Sequence, residues 1–164
     1  MKKTRKIFFA LFALALLFTA CDSNQVYKKY ESLKNHEWKR DHTIVFDVEI
    51  DEIKSNYDVY LAIRHTTYYP YANLLVNVTS YDPNENMRTK DFEFYLRNAD
   101  GQFKAEGAGD LWDIDFLLFE DISFPEKGVY TYHISNYMPY VSTPDIMEVG
   151  LIVKKTEVKD ADND

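Results

Sequence analysis

The chain has 164 residues, 27 of them acidic against 19 basic, for a formal charge of −8. Removing residues 1–20, which hold Lys2, Lys3, Arg5 and Lys6 and no carboxylate, takes the charge to −12 over 144 residues; such a balance disfavours nucleic acid and anionic lipid surfaces as partners. That length suits one domain with one core, and a single cysteine excludes an internal disulfide.

The four basic residues open the chain, Ile7–Ala20 forms an apolar run, and Phe18-Thr19-Ala20-Cys21 ends it with small residues and a thiol. As a helix the 14 apolar residues would reach about 21 Å, short of the ~30 Å hydrocarbon core. The segment is read as a lipoprotein signal peptide covering residues 1–20. Cleavage would leave Cys21 as an N-terminus carrying diacylglycerol and an N-acyl chain such as palmitate. Two or three chains hold a protein at a membrane durably where one does not. Asp22-Ser23-Asn24-Gln25 carries no acidic run.

Residues 21–40 read as an extended tether, with Trp38 as an early core anchor. From there to residue 155 the pattern has period two. His42–Ile50 sets Ile44, Phe46, Val48 and Ile50 on one face, and Tyr57–His65 sets Val59, Leu61 and Ile63 opposite Tyr60, Ala62 and Arg64. Five further strands are predicted at Asn73–Ser80, Asp91–Arg97, Asp115–Phe124, Gly128–Ser135 and Glu148–Lys155. Asp82-Pro83-Asn84 and Asn98-Ala99-Asp100-Gly101 mark turns, and Glu126-Lys127-Gly128 reads as a hairpin-like connection. Short strands without amphipathic helices predict an all-β, two-sheet antiparallel sandwich over 41–155, Ig-like or jelly-roll-like. Residues 156–164 read as a charged tail.

Chemical motifs are sparse. There is no Gly-x-Ser-x-Gly elbow, the sole cysteine is assigned to lipid, and His36, His42, His65 and His133 lack metal-ligand spacing. Gly107-Ala108-Gly109-Asp110 lacks the Lys-Ser/Thr of a phosphate loop and reads as a turn or bulge. Asp110, Asp113 and Asp115, with Glu120 and Asp121 beyond, are the metal candidates. Asp113 and Asp115 on one strand face would stand about 6.7 Å apart, but a calcium ion needs more ligands, and a solvated acidic strand edge is the preferred reading.

Arg64 falls opposite the apolar positions of its strand and precedes a tyrosine-rich turn able to lay a ring beside its guanidinium. Arg64, Tyr68, Tyr69, Tyr71 and Asn73 are therefore the candidate partner-binding residues, with a salt bridge from Arg64 to a carboxylate as the structural alternative. Tyr68, Tyr69, Tyr71 and Trp112 would suit a carbohydrate-binding sandwich if their rings were exposed in one plane.

The succession Tyr57-x-x-Tyr60-Leu61-x-x-Arg64, Tyr69-Pro70-Tyr71-x-Asn73-Leu74, Asp100-Gly101, Gly107-Ala108-Gly109-Asp110, Phe124-Pro125-x-x-Gly128-Val129-Tyr130-Thr131-Tyr132 and Glu148-Val149-Gly150-Leu151 resembles the GldH family of gliding-motility lipoproteins of Bacteroidetes. The resemblance runs from Cys21 to about Lys155. It implies a non-catalytic envelope lipoprotein that supports gliding machinery and type IX secretion together with other motility lipoproteins, and it carries no catalytic motif to transfer. Surface-exported lipoproteins of that phylum resemble one another in an acidic run after the cysteine. The lack of one here implies the periplasmic side, at the outer membrane.

Lipidation at Cys21 is directly testable. Cys21→Ala is expected to give an uncleaved or soluble species that takes up no radiolabelled palmitate, whereas equal labelling of variant and parent would refute the assignment.

Overall fold

The structure, a computed structural model, describes residues 24–156. Residues 1–23, with the segment read as a signal peptide and Cys21, and residues 157–164, read as the tail, lie outside the described residues. Eight long strands build the domain: β1 (Gln25–Ser32), β3 (Thr43–Ile50), β4 (Asn56–Thr66), β5 (Asn73–Tyr81), β6 (Met87–Tyr95), β8 (Leu111–Ser123), β9 (Gly128–Asn136) and β11 (Ile146–Lys155). Three short ones, β2 (Glu37–Lys39), β7 (Glu106–Ala108) and β10 (Ser142–Pro144), complete it. All seven strands expected from the periodicity are present. Ile44, Phe46, Val48 and Ile50 on β3 face the core, as do Val59, Leu61 and Ile63 on β4, because alternate side chains leave a strand on opposite faces.

The strands form an antiparallel sandwich. One sheet runs β1-β11-β4-β8-β7, the other β3-β9-β5-β6, and β2 pairs with β10. The pairings are nested: β5 with β6, β4 with β8, β3 with β9 and β1 with β11. The chain is thus one long hairpin with its tip at residues 82–86, rolled until β11 also meets β4 and β9 also meets β5. This is the jelly-roll arrangement, which resolves the choice left open between it and an Ig-like order.

Three expectations need correction. Residues 25–39 are not a tether: β1 pairs along the outer edge of β11, Leu33 is buried, and Trp38 has no exposed surface while its Nε1 donates to the His42 carbonyl at 3.0 Å. The Gln25–Ser32 sequence concealed this because an edge strand can carry polar side chains on both faces while its backbone completes a neighbour's hydrogen bonds. The Glu126-Lys127-Gly128 turn closes no hairpin, since β8 and β9 belong to different sheets and the chain crosses between them there. Finally, β6 begins at Met87 instead of Asp91, because its first half is exposed and lacks apolar alternation.

The core between the sheets is aromatic along the β6–β8 side. Phe94 stacks on Phe116 with centroids 4.4 Å apart, Phe92 meets Phe119 edge-on at 5.8 Å, and Phe124 bridges Tyr57 and Tyr130. The Gly107–Asp110 run forms a tight β7–β8 hairpin, and a side chain at Gly107 would strike the Trp112 ring. Because Trp38 is wholly enclosed, Trp38→Ala is expected to cost about 3–5 kcal/mol in chemical denaturation. A chain starting at Asp41 is expected not to fold cooperatively; an unaltered melt of either protein would restore the tether reading.

Candidate functional site

The residues expected to bind a partner divide into three environments. Arg64 projects from the outer face of the five-stranded sheet, between β8 and β11. Its Nε and Nη2 donate to the two Asp113 oxygens at 2.7 and 3.0 Å, and Nη1 donates to Glu148 at 3.0 Å. The register places Arg64 directly opposite both carboxylates. Hydrogen bonding to Asp113 raises the guanidinium pKa further still. The salt-bridge alternative is therefore what forms, and among the described residues no ring of the Tyr68–Tyr71 turn makes a cation–π contact with Arg64.

That role belongs to Arg97, which sequence reasoning missed. Its guanidinium carbon sits 3.7 Å from the Phe103 ring centroid, and it donates to the carbonyls of Gly101 and Tyr69 at 2.9 and 3.0 Å. Arg97 thus clamps the β4–β5 loop from a distant segment. A possible signal lay in its position immediately before the Asn98–Gly101 turn.

Tyr69, expected at the contact surface, is buried at 1 % exposure and donates its hydroxyl to the Asn73 carbonyl at 2.8 Å; burial raises its pKa. Its ring packs against Tyr71 and His65. Asn73 is half-buried and donates to Glu93 at 2.6 Å. Tyr71 stacks on Tyr140 with centroids 4.8 Å apart and planes 12° from parallel, whereas Tyr68 is 72 % exposed. Trp112 leans on Phe103 and donates to Thr67. With Tyr69 enclosed and Trp112 packed, these four rings do not make the open coplanar row that carbohydrate stacking requires.

The loop at residues 137–141 brings a surface that the sequence did not single out. Tyr137, Tyr140 and Val141 are exposed, Val141 by 87 %. The loop is nevertheless held firmly: Asn136, buried, donates to the Trp38 carbonyl and to Thr143, and accepts from the Met138 N–H at 3.0 Å. Arg40 donates to the Met138 carbonyl, its backbone N–H donates to Val141, and its guanidinium covers the Tyr137 ring.

The acidic candidates do not converge. Asp113 is engaged by Arg64, Asp110 is exposed and its carbonyl accepts from Thr67, and Asp115 lies opposite Ala62. Burial raises the Asp115 pKa, and Lys28 and Lys154 oppose that rise. Among the described residues no three His, Cys, Asp or Glu side chains are grouped to hold a metal ion.

His65 lies beneath this end of the molecule, fully buried against Tyr69 and Phe103. Its Nδ1 is 3.0 Å from the Thr66 carbonyl, to which it donates, and among the described residues Nε2 has no hydrogen-bond partner. Burial lowers its pKa, with Arg97 acting in the same direction and the Thr66 bond and Asp113 opposing. From about pH 6.5 downward the unfolded chain takes up a proton that the folded one resists, so stability falls until the lowered folded-state pKa is passed. His65→Gln is expected to flatten the melting-temperature profile between pH 7.5 and 5.5; an unchanged slope would place the acid sensitivity elsewhere.

A family model described as GldH lipoprotein matches residues 25–153. The chain is 26 % identical over 164 residues to a gliding motility lipoprotein GldH homolog of Christiangramia forsetii, covering 96 % of this chain and 99 % of that one. It is 27 % identical over 124 residues to the gliding motility lipoprotein GldH of Flavobacterium johnsoniae, covering 76 % of each. Among solved structures, the infectious bursal disease virus VP2 subviral particle aligns with a TM-score of 0.35 and 14 % identity, over 84 % of this chain. The chain spans about a third of that viral protein's length, 34 %. Through the family match across both sheets, the chain belongs to the GldH lipoprotein family.

Proposed function

We propose that this protein is a lipid-anchored component of the cell envelope, held through Cys21 at the outer membrane and facing the periplasm. It supports gliding motility and type IX secretion by binding other lipoproteins of those systems, without catalysis. Family membership and the names of its relatives support the motility setting. The observation that carries the binding role is the exposed end formed by Tyr137, Tyr140 and Val141, with the half-buried Tyr71 stacked on Tyr140. Apolar side chains kept in solvent by a satisfied buried scaffold suit recognition, because little ordering is needed when a partner covers them. Tyr68 extends this end and Tyr69 and Asn73 support it from beneath, whereas Arg64 is held by Asp113 and Glu148 on the outer face of the sheet.

The test is affinity capture from native envelope with mass spectrometry, read beside melting temperature. Tyr140→Ala and Val141→Asp are expected to lower recovery of motility and secretion lipoproteins about tenfold or more, with melting unchanged. Arg64→Ala is expected to keep those partners. Full recovery with both loop variants would refute this surface.

A further inference from the structure

Two exposed cations on β6 continue, toward the hairpin tip, the face that carries its core aromatics. Phe92 and Phe94 point inward against Phe119 and Phe116, and a strand repeats its facing every second residue, so Lys90 and Arg88 lie on the same inner face. The register agrees: Lys90 is opposite Val78 and Arg88 opposite Ser80, continuing the row in which Phe94 faces Leu74 and Phe92 faces Val76. The inner surface of the four-stranded sheet therefore changes from apolar to cationic toward the hairpin tip.

At that change lies a half-open cleft of about 600 Å³. Val78, Phe119, Ile122, Phe124, Tyr130 and Tyr132 form its walls, and Arg88 and Lys90 stand on its lining. Its size falls within the range of small-molecule sites, and its lining is divided, apolar and aromatic along β8 and β9 and polar along β6 and the hairpin tip. Access comes from the side, because β6 has no partner on its outer edge and β7 covers β8 only at Leu111–Asp113. Asp82, also at the cleft, is occupied by the turn, accepting from Asn84 and twice from Asn86. Neither Arg88 nor Lys90 joins an ion pair among the described residues, although the Lys90 ammonium lies 4.7 Å from the Phe92 centroid.

We infer that this cleft binds a fatty-acid-like amphiphile, its chain between the sheets against Phe119, Ile122 and Phe124 and its carboxylate at Arg88 and Lys90. Two cations outside any direct ion pair, Arg88 acting on Asp82 through its charge alone, stand beside the aromatic wall of the cleft in a chain of net charge −8 and complement a single anionic head on an apolar tail. A neutral sugar would use neither feature. The competing account is that both long side chains only cover the open end of the core with their methylene stems.

Photolabelling separates the two accounts. The intact lipoprotein in lipid nanodiscs is exposed to a diazirine-bearing dodecanoate or to the matching dodecanol, and adducts are mapped by mass spectrometry. Dodecanoate adducts are expected on the 119–124 and 76–90 segments, suppressed by excess unlabelled dodecanoate, and about tenfold above those of the alcohol. Arg88→Gln with Lys90→Gln is expected to remove that preference without shifting the melting temperature. Equal labelling by alcohol and carboxylate, scattered adducts, or an unchanged preference in the double variant would each overturn the site.

Discussion

The fold depends on β11 lying between β1 and β4. Through it the last part of the chain is hydrogen-bonded to the first and to the middle of the long hairpin. Val149, Leu151 and Val153 have no exposed surface on its inner side, and Ile152 is buried on the outer side at 1 %. Gly150 lets this strand be covered: the Tyr30 ring of β1 lies where a side chain at residue 150 would stand. A central strand paired on both edges leaves its backbone groups no solvent to fall back on, so losing β1 exposes a row of donors and acceptors as well as apolar area.

Around this frame the acidic chain distributes its arginines by function. Arg64 neutralises two carboxylates on the outer face of the sheet, a partly exposed arrangement that contributes at most about 1 kcal/mol because water screens it. Arg97 and Arg40 spend their donors on carbonyls of irregular loops, which lack strand partners, and bring their charge over the rings of Phe103 and Tyr137. Arg88 forms no such attachment, and that contrast sets the β6 cleft apart from the loop clamps. Asn136 completes the frame by joining β2, β10 and the 137–141 loop through a fully used side-chain amide.

The candidate site was only partly legible. Periodicity correctly placed Arg64 away from the core, but not which neighbours would meet it, since Asp113 and Glu148 are 49 and 84 residues away. Tyr68 and Tyr69 are adjacent and chemically identical, yet one is exposed and the other enclosed beneath Tyr71 and beside His65. In a loop no repeat assigns facing, so composition alone could not separate them. The 137–141 loop escaped notice because its aromatic and proline residues resemble any turn. Its exposure follows from Asn136 and Arg40, which reach it from separate strands and loops.

The sequence by itself determined the seven alternating strands, the aromatic core they share, the sandwich class and the family, because period-two patterning and motif order are local properties of the chain. Only the tertiary structure decided that residues 25–39 complete the fold, that Arg97 and not Arg64 lies against an aromatic ring, and that two β6 cations line a cleft. Those outcomes rest on pairing between distant segments. A hydrogen bond to a strand a hundred residues away leaves no period in the sequence, and an edge strand that supplies mainly backbone need not carry an apolar face.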